Sequence, residues 1–268
     1  MANTPYSNFY LSNEVEDQFN SHLDLVNFCT VDKTLQGTAG MKRVINVYAA
    51  TDGTEKLAQG AGNTKSIEVG HTQKEYEILL AQNRFEWYDE EAMKDKMIVP
   101  VGLKHAATDM FNHVNADIFA EYGKATQTVA AATPNFDAFV DCQVALNVEN
   151  IEDVKTFAFV NAANLGALRK ALKEDLKYVE AFAKNGYIGT VAGTNIYQKK
   201  DAKAGEIILA TKEAVTLFIK KGTEVELITK MLRSAEDANV RKNTAFLRKY
   251  YLAALTNATK VVKMIIGG

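Results

Sequence analysis

Between Leu103 and Tyr122 the apolar residues Leu103, Ala107, Met110, Val114, Ile118 and Tyr122 recur at steps of three and four. That spacing is one face of a helix. Twenty residues at about 1.5 Å each span roughly 30 Å, enough to cross a small domain, and such a stripe calls for a sheet to pack against. His105, Asp109, Asn112, Asn115 and Glu121 fall largely off the stripe. Upstream, Asp89, Glu90 and Glu91 favour the start of a short helix, since acidic side chains suit helix N-termini. Pro100 is expected to close that piece before the long helix begins.

Strand signals lie on both sides of this helix. Lys42 to Tyr48 alternates and is rich in β-formers. Lys74 to Gln82 alternates with Tyr76, Ile78 and Leu80 on one face and Glu75, Glu77 and Leu79 on the other. About two dozen Gly-, Thr- and polar-rich residues connect them, an unusual length inside a compact domain. The pair predicts a protruding β-arm that lies on a neighbour. Residues 1 to 36 are polar and mixed, with Phe9, Leu11, Val15 and Phe19 as one short amphipathic piece. They predict an arm that orders by lying on something else.

Thr133-Pro134 offers an N-cap and first turn for a helix with Phe136, Val140 and Val144 on one face. Lys155 to Val160 predicts a buried strand. Asn161 or Asn164 then caps a helix carrying Leu165, Leu168, Leu172 and Leu176. Short strands follow at 187–191, 195–197, 205–210, 214–220 and 223–229, with Lys220-Lys221-Gly222 as a turn between the last two. Residues 233–241 are polar. Strands over 244–255 and 261–266, joined by a turn, complete an α+β pattern.

The chain has 268 residues, enough for one large domain or two smaller ones. Charge is nearly balanced, 31 Lys and Arg against 33 Asp and Glu, which argues against a dedicated nucleic-acid binder. A helix-turn-helix signal is also lacking. No segment approaches the roughly 18 apolar residues of a membrane span, and residues 1–10 lack a signal peptide's basic and apolar regions. A protein made in the cytoplasm that stays soluble, unless another machine exports it, is expected, with Cys29 and Cys142 as buried or half-buried thiols in a reducing compartment.

Chemistry is sparse. Gly60 to Ser66 (GAGNTKS) fails as a phosphate loop because Thr64 stands where glycine must precede the lysine. His22, His71, His105 and His113 form no zinc spacing. Neither cysteine has a nucleophile's surroundings, no serine elbow occurs, and Gly186, Gly189 and Gly193 are followed by no helix. Lys199, Lys200 and Lys203 are expected in a solvated loop. No catalytic, cofactor-binding or metal-binding residue is assigned and no cofactor is expected. A binding or structural role is favoured over catalysis.

In order and spacing, the chain resembles the bacteriophage major capsid proteins of the HK97-type fold. RVINVY through KEYEILLAQ is similar to the two legs of that family's extended loop (E-loop), and Leu103 to Tyr122 to its spine helix. FAFVNAANLGALRKAL is similar to the strand and helix that open its axial domain, and GYIGTVAGTNIY to a glycine-spaced segment there. The most specific stretch is AVTLFIKKGTEVEL, then Asp237, Arg241 and TAFLRKYYLAALTNATKVVKMI.

The resemblance implies an N-terminal arm at 1–36, the E-loop at 37–84, and a peripheral domain with the spine helix at 85–133. An axial domain at 134–233 and C-terminal strands at 234–268 returning to the peripheral domain complete it. It implies a non-enzymatic shell protein forming pentamers and hexamers in an icosahedral head around double-stranded DNA, which it touches weakly and without sequence preference. A portal protein is an implied partner, and because only about 36 residues precede the loop, a separate scaffolding protein, or none, is expected. The virion, assembled in the host bacterial cytoplasm, is the implied location. Crosslinking through Lys56 or Lys65 and Asn257 is conceivable in this family but is not specified here. An encapsulin-type nanocompartment holding a cargo enzyme is the alternative.

Overall fold

A computed structural model describes residues 23–37, 39–149, 154–173 and 189–267. Phe9 to Phe19, Leu176 and Tyr187, which carried expectations above, lie outside them. In chain order the strands and helices are β1 (Thr30–Asp32), β2 (Lys42–Ala50), β3 (Val69–Glu77), β4 (Leu79–Tyr88), α1 (Asp89–Lys94), α2 (Ile98–Tyr122) and β5 (Gln127–Ala131). Then come α3 (Phe136–Leu146), β6 (Thr156–Val160), α4 (Ala162–Ala171), β7 (Thr190–Val191), β8 (Thr194–Gln198), β9 (Glu206–Thr211) and β10 (Val215–Ile228). Last are α5 (Ala235–Asn239), β11 (Lys242–Leu255) and β12 (Val261–Ile266).

Among the described residues the strands form three sheets. A four-stranded sheet runs β1-β10-β11-β4, a six-stranded sheet runs β5-β12-β9-β6-β8-β7, and β2 pairs with β3 alone. The long helix packs on the four-stranded sheet, as its stripe requires. Met110, Val114, Ile118 and Tyr122 are buried, whereas Ala107 is exposed. The helix begins earlier than predicted, and Pro100 lies in its first turn instead of ending the element before it. Proline is tolerated there because its missing N–H would have had no intrahelical partner. Asn115, assigned off the stripe, is also buried: its side chain accepts from Leu25 N–H (3.0 Å) and donates to the Leu23 carbonyl (3.3 Å).

The six-stranded sheet is covered on both faces, which is why every residue of β6 is buried. Phe157 and Phe159 point to a core shared with α2 and the four-stranded sheet. Ala158 and Val160 point the other way, to a core roofed by α3 and α4. The shared core is strongly aromatic: Phe28 meets Tyr197 and Phe157 edge-on at 4.6 and 5.0 Å between ring centroids. Such pairs add modestly to the burial itself.

Several elements differ from expectation. α3 is capped by Asn135, whose side chain accepts from Ala138 N–H (2.9 Å), and not by Thr133. Its buried face is Ala138, Phe139, Cys142 and Leu146; Phe136, Val140 and Val144 face solvent. Asn161 caps α4, while Asn164 donates to the Glu206 carbonyl (2.9 Å). Lys220-Lys221-Gly222 is no turn. β10 runs through it as one strand, and the mismatch is absorbed by register shifts against the unbroken β11. Conversely, Lys74 to Gln82 is not one strand. It breaks at Ile78, whose side chain is buried and whose N–H donates to the Met41 carbonyl (2.8 Å).

The strands also divide differently from the expected domain boundaries. β10, placed with the axial segment, belongs to the sheet under the spine helix. β12, expected to return there, instead joins the six-stranded sheet between β5 and β9. Residues 23–32, expected as arm, are seated in this chain's own core: Leu25 and Cys29 are fully buried and β1 pairs in parallel with β10.

Candidate assembly surfaces

The feature with least to hold it inside one subunit is the β2–β3 hairpin. Its strands pair from Lys42↔Glu77 to Ala50↔Val69, so nine residues a side run out from the body. Nearly all of β3 is exposed, and Leu57, Ile67 and Val69 toward the tip present apolar side chains to solvent. A lone two-stranded ribbon is marginal in water. Polar contacts organise the tip instead. Glu55 accepts from both the N–H and the hydroxyl of Thr64, each at 2.7 Å, and these bonds hold its carboxyl below the usual range. Asn63 donates to the carbonyls of Gly53 (3.2 Å) and Lys65 (2.9 Å). GAGNTKS is therefore part of a hydrogen-bonded turn with no helix behind it to receive a phosphate.

The hairpin's root is apolar and fixed. Tyr76 stacks on Phe218 at 5.1 Å, Ile78 is buried beside them, and Met41 and Ile45 complete the cluster. Lys220 donates to the Gly40 carbonyl, and Arg43 lies 3.6 Å from Asp32 of β1.

A second surface lies at the far end of the four-stranded sheet. The Asp89 carboxylate accepts from Arg233 (2.6 Å) and Asn243 (2.8 Å), and Arg233 also donates to the Asn243 carbonyl oxygen. The Arg233 guanidinium is nearly fully buried, and its bond, then that of Asn243, holds the Asp89 carboxyl below its ordinary range. Glu90 pairs with Arg241 at 2.5 Å, and Lys242 bridges Asp237 (3.1 Å) and Glu86 (3.2 Å). Thus Arg241, quoted with Asp237 in the sequence, pairs across to α1, and Asp237 pairs with Lys242. Around this network Met93, Met97, Met231 and Leu232 are exposed. Arg233 and Asn243 drew no notice in the sequence, because their carboxylate partner lies about 150 residues away and no local spacing marks it.

Reactive groups are shielded or solvated. Burial pushes the Cys29 thiol up to about 11 and the Cys142 thiol up to about 12. His113 pairs loosely with Asp117 at 3.8 Å on the exposed side of α2. Lys199 is not in a solvated loop. It is buried, with its ammonium 2.7 Å from Asp201 and 5.9 Å over the Phe119 ring. Among the described residues no group of three or more His, Cys, Asp and Glu could hold a metal ion, and no helix is long and apolar enough to cross a membrane.

This combination of spine helix, projecting hairpin and two sheets superposes on the mature capsid of bacteriophage PhiM1 with a TM-score of 0.73. That match has 10% identity and covers 94% of this chain and 89% of the other. The capsid structure of cyanophage P-SCSP1u gives a TM-score of 0.72 at 12% identity, covering 95% and 91%. No family model matches the chain. In sequence it is 24% identical over 264 residues to the major capsid protein of Staphylococcus phage phiMR11, covering 94% of this chain and 90% of the relative. The chain has the phage major capsid fold. The β2–β3 hairpin and α2 fall on the residues for which the resemblance implied an E-loop and a spine helix.

Proposed function

We propose that this chain is the structural major capsid protein of a tailed bacteriophage, assembling into pentamers and hexamers that close an icosahedral head around double-stranded DNA. The observation that carries the reading is the hairpin. A ribbon exposing Leu57, Ile67 and Val69 gains burial only by lying across another copy. The relation to a phage major capsid protein over nearly the whole chain supports it and favours a phage head over an encapsulin-type compartment.

Further parts of the reading rest on the resemblance. DNA contact is weak and made by scattered Lys and Arg on phosphates, so affinity falls with salt and footprinting shows no preferred sequence. A portal protein and a separate scaffolding protein are its partners, and assembly takes place in the host cytoplasm. The chain catalyses no reaction.

Deleting Thr54 to Thr72 tests the central point. The shortened chain keeps its cooperative unfolding transition, because its cores lie elsewhere, but forms no particles by size exclusion or negative-stain microscopy. A deletion that unfolds the subunit, or one that leaves particle yield unchanged, sinks the reading.

A further inference from the structure

α3 has two apolar faces. One buries Phe139, Cys142 and Leu146 under the six-stranded sheet. The other presents Phe136, Val140 and Val144 at steps of four, 51%, 36% and 71% exposed. A helix apolar all round is normally buried all round. Two acids, Asp137 and Asp141, border the open stripe and are themselves exposed. On the same layer of the sheet, α4 ends in exposed Arg169 and Lys170, followed by exposed Lys173. No ion pair among the described residues engages these acids or bases. Asp137 in the first turn of α3, and the bases in the last turn of α4, also complement their own helix dipoles. Dipoles explain neither Asp141 in mid-helix nor the valines between the charges.

We propose that the acid-bordered apolar face of α3 docks against the basic end of α4 on a second copy of this chain. The inference rests on the shell-protein reading and adds the surface by which copies recognise each other. Such an acid-to-base contact can repeat head-to-tail from copy to copy, and it closes into a ring where the rotation between copies closes.

Charge swapping tests it in the full chain. Asp137→Lys with Asp141→Lys places like charges together and lowers assembled material, measured by size exclusion, at least about tenfold. Adding Arg169→Glu and Lys170→Glu to that variant restores assembly. Val144→Ser, a separate surface change that leaves far-UV circular dichroism and unfolding unaltered, also weakens assembly. If the Lys variant assembles like wild type, α3 serves another occupant, such as a scaffolding or cargo protein, and the proposal falls. It also falls if the four-fold variant is folded but not restored. A wild-type chain that stays monomeric overturns the shell reading and this proposal together; a tolerated reversal in an assembling chain overturns only this one.

Discussion

The six-stranded sheet and the β2–β3 hairpin invert the usual link between strand length and security. β6 has five residues and buries all of them; β3 has nine and buries none. β6 lies in the interior of its sheet between a helical roof and an aromatic core. Among the described residues β2 and β3 have neither a third strand nor a cover. Length in the hairpin gives reach, and reach is useful only where something lies at the far end. One region is thus specified by packing within the subunit. The other is specified by turn chemistry at its tip and by an apolar anchor at its root.

That contrast is broken most severely from the packed side. Phe159, fully buried among Phe28, Phe119, Phe157 and Tyr122, is at the meeting point of both sheets and the spine helix. Phe159→Ala costs about 3–5 kcal/mol, read as a lower urea midpoint of unassembled subunit. A change under 1 kcal/mol, on the order of a surface substitution, would mean that the aromatic cluster is not the core it looks like. Next is Asn115→Ala, which strands the buried Leu25 N–H and costs about 1–3 kcal/mol. It also releases residues 23–28 from the spine helix, seen as faster amide exchange at Leu25. Equal exchange in the variant would show that Asn115 does not hold that segment.

Smallest is the hairpin tip. Glu55→Gln leaves the urea midpoint unchanged but speeds proteolytic cleavage between residues 53 and 66. The same bond has a pH signature. Thr64 holds the Glu55 carboxyl below its ordinary value, so its contribution is fully present above the usual glutamate range of about 4.3. It is lost as pH falls through the depressed folded value. Tip amides in wild type therefore lose protection, measured relative to their intrinsic exchange rates, only in acid, and in Glu55→Gln they lack it throughout. A tip whose protection ignores acid would remove Glu55 from its organisation.

The same divide governs what could be read from residues alone. The long helix and the first hairpin leg were legible because their apolar spacing has one interpretation, and strand 156–160 because its apolar run is short and unbroken. α3 was misread for the opposite reason. Phe136, Val140 and Val144 make as good a stripe as Phe139, Cys142 and Leu146, and spacing does not say which of two apolar faces turns inward. Lys220-Lys221-Gly222 has a turn's composition, yet β11 holds β10 straight through it. Asn115 and Lys199 look like surface residues until partners distant in sequence arrive. For assembly, the hairpin's length was the visible clue. The Asp89, Arg233 and Asn243 network left none, since each residue is ordinary where it stands.

β12 has a bearing on timing. It fills a slot between β5 and β9, strands that are synthesised before it, β5 by some 130 residues. Until residues 261–266 leave the ribosome, the six-stranded layer has a gap in its interior, and Val261, Val262 and Met264 are missing from both cores. Contacts so far apart in sequence form slowly. A growing chain therefore has no finished six-stranded layer, and the roof of α3 and α4 gains its complete floor only once that strand is in place.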